Sequence, residues 1–420
     1  MAGRVVHSKV SGKPNPTDTT KIGGADWDAD HTITGLTIGS DIQAHSANLD
    51  ALASVVPGVN KVPYFTGAGT ADVADLAVIA AAAPFDALSS NGLQVNGSFE
   101  VDQEHCGNSV SFGAGTVESY VVDFFRVYKS GTMQLTAQQT ASVFRGYKKE
   151  LKVTITTAQA SIGSDSLGIK SFISGRRFSR LKWGTADALP VTIGFWAKSS
   201  VSGTVAVTIA NSASSSSVSG SVSIASAGVP QWCTVTLAGV TSGTWLDDDG
   251  IGAQLLVVLA AGGGNINRAA TNGNTFEIAG LVVLPNSVAP PSLYSSLIMR
   301  PYDEELLRCQ WLYRKTFPVD TAVATGSGYV GSIMYQARTA AANPWFHWHI
   351  FGTMRAAPTV TFYNPVSANN KWYNATNAAD SGAATPYYIS NQQLVLGNAQ
   401  VAGDAVSNLI AIHATFDSRW

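Results

Sequence analysis

Charge is what this chain has least of. Lysine, arginine, aspartate and glutamate make up 13% of its 420 residues, about half the share near 25% usual for soluble domains. The few charges nearly cancel, 26 basic against 28 acidic for a formal net charge of −2. The surplus of positive charge that marks many nucleic-acid binders is missing, and no nucleic-acid partner is expected. No apolar run approaches the roughly 18 consecutive residues of a membrane-spanning helix, so no membrane insertion is expected. The opening MAGRVVHSKVSGKPNPTDTT lacks the apolar core of a secretory signal, which points to synthesis and assembly in the cytoplasm. Cys106, Cys233 and Cys309 are few, far apart and odd in number. They build no disulfide framework and read as free, buried thiols.

Signatures of catalysis are also lacking. There is no glycine-rich phosphate loop ending in lysine, no Gly-x-Ser-x-Gly elbow and no His-Glu-x-x-His. No cofactor is expected, and the chain is read as a non-enzyme.

Glycine, alanine, serine and threonine take the place of the missing charges, a mixture that suits extended strands joined by many turns. The length predicts two or three domains. Residues 1–40 are polar, broken by Pro14, Pro16, Gly23, Gly24 and Gly35, and too poor in apolar periodicity to fold alone. They read as an extended segment that orders on a partner. Residues 41–91 read as a short helical linker. Ser40 and Gln43 resemble a capping box, and Ile42, Leu49 and Val56 recur every seven residues with His45 and Leu52 between them, until Pro57-Gly58 stops the pattern. At barely two heptads, a coiled-coil seam and a lone amphipathic helix are both open. A second helix is expected with Val73, Leu76 and Ile79 on one face, ending at Pro84.

From residue 92 the apolar period becomes two. Stretches 151–156, 191–196 and 233–237 alternate as half-buried antiparallel strands do, while 255–259 and 278–284 are more continuously apolar, as central strands are. Serine-rich 212–221 reads as a long hairpin or loop. Residues 92–299 are therefore expected to form a β-sandwich of jelly-roll type. Residues 300–420 are expected to form a second, smaller sandwich, entered through a helix over 303–313 and containing strands at 345–351 and 358–362. The fold class is mainly β: a short helical or coiled-coil segment, then two antiparallel sandwiches.

Several tracts resemble tail fibre proteins of tailed bacteriophages that carry jelly-roll domains like carbohydrate-binding modules. They are Asn96-Gly97-Ser98-Phe99-Glu100-Val101-Asp102-Gln103, Val122-Asp123-Phe124-Phe125, Leu181-Lys182-Trp183-Gly184-Thr185-Ala186, Gly243-Thr244-Trp245, the run Arg300-Pro301-Tyr302-Asp303-Glu304-Glu305-Leu306-Leu307-Arg308-Cys309-Gln310, and Met354-Arg355-Ala356-Ala357-Pro358. Upstream, Ala25-Asp26-Trp27-Asp28, Asp41-Ile42-Gln43-Ala44-His45 and Val62-Pro63-Tyr64-Phe65 are similar to the N-terminal parts of such fibres. In order they span nearly the whole chain. The resemblance implies a homotrimeric virion fibre, docked through residues 1–40 on a tail or other virion protein and binding host-surface glycan or lipopolysaccharide at its tip. It implies no catalytic residue. A departure from the family is the basic tract Ser174-Gly175-Arg176-Arg177-Phe178-Ser179-Arg180-Leu181-Lys182. The same architecture would serve a head fibre, decoration or collar protein. A polysaccharide depolymerase usually shows a long stacked-strand repeat, which is missing here.

Sugars offer flat C–H faces to aromatic rings and hydroxyls to amide and carboxylate groups. Candidate glycan contacts are Trp372, Tyr373, Tyr387 and Tyr388, with Asn370 and Asn374 among them, in turn-rich sequence where binding residues concentrate. The competing role of those rings is packing, in the domain or between subunits. On the strand through Trp345, alternation puts His347 and His349 on one face with Trp345 and Phe351, so three copies around an axis would offer six imidazoles to a metal. A hydrogen-bonded pair is the plainer role. The tracts Arg145-Gly146-Tyr147-Lys148-Lys149 and Arg176-Arg177-Phe178-Ser179-Arg180 read as solvated strands or as contacts for anionic lipopolysaccharide. Asp247-Asp248-Asp249 reads as a polar turn, short of the spaced ligands of a calcium loop.

Overall fold

The computed structural model describes residues 46–56, 58, 61–75, 89–263, 265–285, 289, 291–337, 345–350, 352–398, 400–401 and 403–420, with the strand pair β1 (Arg4–Val5) and β2 (His31–Thr32). The chain divides into two compact units, 1–79 and 80–420.

In the first unit, helix α1 (Ala47–Ser54) packs on the antiparallel hairpin of β3 (Lys61–Gly67) and β4 (Thr70–Asp75). The Asn48 side chain accepts the Gly69 N–H at 2.8 Å and ties the helix to the hairpin turn. Ala51 faces inward, whereas Leu49, Leu52 and Val56 are exposed. The second helix expected around Val73 is absent there, because Val73 pairs with Pro63 in the hairpin. Alternating Thr-Ala-Asp-Val-Ala-Asp fits a pleated strand beside β3 better than a helix face. Ile42, Gln43, His45, Leu76 and Ile79 lie outside the described residues.

The second unit opens with a sandwich of two six-stranded antiparallel sheets. Its strands in chain order are β5 (Val110–Phe112), β6 (Val117–Val122), β7 (Phe125–Lys129), β8 (Gln134–Ala141), β9 (Lys149–Thr157), β10 (Ser166–Ser174), β11 (Val191–Ser199), β12 (Gly203–Ala210), β13 (Ser217–Ile224), β14 (Gln231–Leu237), β15 (Ile251–Ala261) and β16 (Thr275–Pro285). One sheet runs β13-β12-β15-β10-β7-β6 and the other β14-β11-β16-β9-β8-β5. Inward residues alternate along each strand, such as Leu167, Ile169 and Ile173 facing Val191, Ile193 and Phe195 across the core. Strand β16 is buried on both faces and, apart from Glu277 paired with Lys152 and Lys198, nearly all apolar. Its outer residues Val282 and Leu284 pack under Ile298 and Trp232, and Ala279 under Phe144 and Tyr147. The serine-rich segment forms the turn and return strand of the β12–β13 hairpin. The basic tract is helical, not a surface strand: Gly175–Phe178 forms the single-turn helix α2, continued by a 3₁₀ turn. Phe178 and Leu181 on it point into the core and pin it against β10 and β15.

Helix α3 (Tyr302–Cys309) is shorter than expected, and Tyr313 begins a strand. Its Cys309, with Leu312 just beyond, belongs to the core of the sandwich. The remaining strands are β17 (Tyr313–Lys315), β18 (Ile333–Gln336), β19 (Trp345–His349), β20 (Thr359–Tyr363), β21 (Lys371–Asn374), β22 (Ala379–Tyr387), β23 (Gln393–Asn398) and β24 (Leu409–Asp417). They form one antiparallel sheet around a second core of Ile333, Phe362, Trp372, Leu394, Leu396 and Ile410. Long β24 holds β18 and β21 along its first half and β17 and β20 along its second. Cys233 and Cys309 are buried and Cys106 half-buried, all as free thiols.

Candidate functional site

At the edge of the C-terminal sheet, β22, β23 and β19 lie side by side. Register pairs Thr385 with Gly397 and Gly397 with Trp345, and pairs Tyr387 with Val395 and Val395 with His347. Directly paired residues share a face of an antiparallel sheet. Trp345, His347, His349 and Tyr387 therefore stand on the solvent side, and Leu394 and Leu396 point to the core.

Gly397 makes this arrangement possible. A Cβ there would lie 2.8 Å from Cε2 of Tyr387, so only a glycine leaves room for the tyrosine ring over the middle strand. Over that gap Trp345 stacks on Tyr387, with ring centroids 4.9 Å apart and planes 19° from parallel. Tyr388 meets Trp345 edge-on at 6.5 Å. It adopts left-handed backbone, φ 49°, which swings its ring out of the strand's alternation. Trp345 is 58% exposed and Tyr388 75%. These are large apolar surfaces that the fold leaves in water, held by a hydrogen-bonded sheet instead of a loose loop. His347 and His349, both exposed, extend the row with groups able to donate or accept hydrogen bonds.

The other expected glycan contacts lie elsewhere. Trp372 is fully buried, and its indole N–H is given to the Gly397 carbonyl at 3.3 Å. Tyr373 is buried beside Tyr329. Asn374 is buried too: its Nδ2 donates to Asp404 Oδ1 at 2.9 Å and its Oδ1 accepts the Thr376 and Asn377 N–H groups. Lys371–Asn374 is an interior strand, not a turn, so these side chains are consumed by the core and by a turn that Asn374 holds. This corrects the expectation of solvent-facing rings there. Asn370 is exposed at the open end of the β21–β22 hairpin, where its carbonyl accepts the Ala384 N–H. Tyr387 and Tyr388 are brought together with Trp345, whose part sequence reasoning missed. Its parity with His347 was visible, but nothing local announced a partner 42 positions away in the chain.

Among the described residues no group of three or more metal-ligating side chains is found, and His347 with His349 supplies only two donors from one chain. The aspartate turn is engaged within the protein: Asp248 Oδ1 accepts the Gly250 N–H and Asp249 pairs with Arg176 at 2.6 Å.

No family model matches the chain, and no curated protein matches it. Solved structures are similar over just under half of it. One is the enzymatically active domain of tailspike protein 4 of bacteriophage CBA120, at 11% identity and a TM-score of 0.28, covering 47% of this chain and 22% of that one. Another is a CBM4 structure, at 17% identity and 0.24, covering 45% and 97%. A third is the family 11 carbohydrate-binding module from Clostridium thermocellum in complex with a β-1,3-1,4-mixed-linked tetrasaccharide, at 12% identity and 0.25, covering 42% and 99%. The chain thus spans about a fifth of the tailspike chain and nearly all of the two modules. At such identities and scores, neither a ligand nor an activity passes from them to this chain.

Proposed function

We propose that this chain is a structural fibre protein of a tailed bacteriophage virion that attaches to host-surface glycan through Trp345, Tyr387 and Tyr388. The observation that carries the reading is the exposed ring group built over Gly397. Burying aromatic area is worth about 25 cal/mol per Å², so a fold that leaves such rings in water on a rigid sheet has surface set aside for a partner. Flat sugar faces match stacked rings, and His347 and His349 are placed to meet hydroxyls. The tracts similar to phage tail fibres support the virion setting. Helix α1 ends at Ser54, short of the expected seam through Val56; the exposed Leu49 and Leu52 on it, with Val56 just beyond, support a trimer assembled through this unit. Residues 1–40 dock the fibre on a virion protein in this reading, and the activity is binding without catalysis.

The test applies fluorescently labelled full-length protein to a panel of bacterial strains before and after periodate oxidation of their surface glycans. Binding to some strains, lost on oxidation, is expected. Binding that survives oxidation, or none on any strain whose phage carries the protein, would sink the proposal. Antibody labelling of particles places the chain on the tail in this reading, and labelling on the head alone would favour a decoration protein.

A further inference from the structure

Away from the ring group, a cleft of about 580 Å³ opens between the first sandwich and the segment that follows it. Arg177 reaches it from α2, Arg308 from the last turn of α3 and Arg314 from β17. Three cations from three elements line one concavity, and Arg177 and Arg308 are near enough to repel each other.

Among the described residues the counter-charges near them are few and mostly engaged. Asp249, the acidic side chain lining the cleft, is held by Arg176 through a two-pronged pair at 2.6 and 3.2 Å. Glu305 lies nearby but is fully engaged, with Oε1 on Arg300 at 2.7 Å and Oε2 on the Asn96 N–H at 2.8 Å. Glu305 and then Glu304 favour the charge on Arg308, while burial and Arg300 oppose it more strongly. The Nη1 of Arg177 is sealed from solvent and has no hydrogen-bond partner among the described residues. Burial pushes this guanidinium down to about 10, with repulsion from Arg308, Arg300 and Arg180 added and Glu305 opposing. Arg308 and Arg314 are also lowered, by burial first. Among the described residues Arg314 gives only its Nε to a neighbour, the Gln310 carbonyl at 2.6 Å.

Half-buried like charges without a counter-ion are costly. A fold retains such a cluster most readily when an anion completes it, and guanidinium forks match carboxylate and phosphate oxygens in pairs. The walls beside the forks are apolar and aromatic, including Phe172, Trp311 and Trp420. Trp311 and Trp420 pack edge to face at 5.9 Å and offer a surface for a ring. The volume is that of a small-molecule site.

We propose that this cleft binds an anionic saccharide, its phosphate or carboxylate held by Arg177, Arg308 and Arg314 and its ring against the tryptophans. Choosing a saccharide over another organic anion rests on the attachment role proposed above; the oxyanion site itself does not. The cleft and the ring group act separately, one reading charge and the other neutral sugar faces.

Calorimetric titration of the full chain tests this, with trigalacturonate, glucose 1-phosphate, maltotriose and inorganic phosphate as probes. At least one acidic sugar is expected to bind at least tenfold tighter than maltotriose and inorganic phosphate. Trigalacturonate or glucose 1-phosphate as the better ligand tells carboxylate from phosphate. Arg308→Gln should weaken that binding at least tenfold and Arg308→Lys by less, while Trp345→Ala leaves it unchanged. Each variant's melting transition is compared with the parent's to establish that it is folded. Equal affinity for inorganic phosphate and sugar phosphate would overturn the saccharide part. Unchanged binding in the Arg308→Gln, Arg314→Gln double variant, or no acidic probe bound by the parent, would overturn the site. Loss in Trp345→Ala with none in Arg308→Gln would move the acidic ligand to the ring group.

Discussion

Arg300 and Glu305 form an ion pair at 2.7 Å with side chains only 1% and 3% exposed, and it fastens the start of the sandwich to helix α3. Arg300 also donates to the Gly92 and Gln94 carbonyls, and Glu305 accepts the Asn96 N–H. Removing one partner leaves a buried charge alone, which costs about 3–5 kcal/mol. Glu305→Ala is therefore expected to lower unfolding stability by about that amount in a urea titration. A change under about 1 kcal/mol would show that the pair does not hold the two segments together.

Asp123 supplies a pH dependence. Its carboxyl is fully enclosed, and burial pushes it up to about 7, against hydrogen bonds from Gln103 and with Asp102 adding repulsion. A folded value above the unfolded one, about 3.9, means the native state holds the proton more tightly. Asp123 therefore contributes stability below pH 4 that is lost as pH rises towards 7, by at most about 1.4 kcal/mol per pH unit. Asp123→Asn keeps an acceptor for Gln103 and should flatten the decline between pH 4 and 7. Parallel stability curves for the two proteins across that range would contradict this assignment.

Trp372 and Trp345 separate structure from binding. Trp372→Ala should cost about 3–5 kcal/mol through the lost core contacts, while Trp372→Phe, where it folds, should bind glycan as the parent does. Trp345→Ala should leave the melting temperature nearly unchanged. A Trp372→Phe protein that is folded but blind to glycan would reverse these roles.

The exposed apolar residues of the first unit predict the oligomer. Sedimentation of the intact chain should give three times the single-chain mass of 43.9 kDa. Replacing Leu49, Leu52 and Val56 with serine should shift it towards one. A parent already at the single-chain mass would remove the trimer from the account.

Much of the sandwich was readable because period-two alternation reports one buried face directly, as in β9, whereas β11, also alternating in sequence, is covered on both faces from Val191 to Phe195. Several tracts that resembled phage fibres prove to be fasteners. Asn96, in left-handed backbone, bonds Val101 and Asp123, and Trp183 packs edge to face on Trp245 at 4.9 Å. The binding site was half readable. Tyr387 and Tyr388 were visible as aromatics in turn-rich sequence, but composition could not tell them from Trp372, whose burial depends on strand pairing far along the chain. Trp345 needed the register through Gly397, and Arg177 needed α3 and β17, all of them non-local. Val73 went wrong because a short apolar spacing fits either period.

Gly397→Ala and Trp345→Ala, compared with the parent on an array of neutral and acidic bacterial polysaccharides, test the central claim most directly. The alanine methyl at 397 must displace the Tyr387 ring, and at 345 the stacking partner is gone. Both variants should lose the parent's neutral-glycan signals by tenfold or more, about 1.4 kcal/mol, while remaining folded. Folded variants that bind every glycan as the parent does would show that this ring group is not the attachment site.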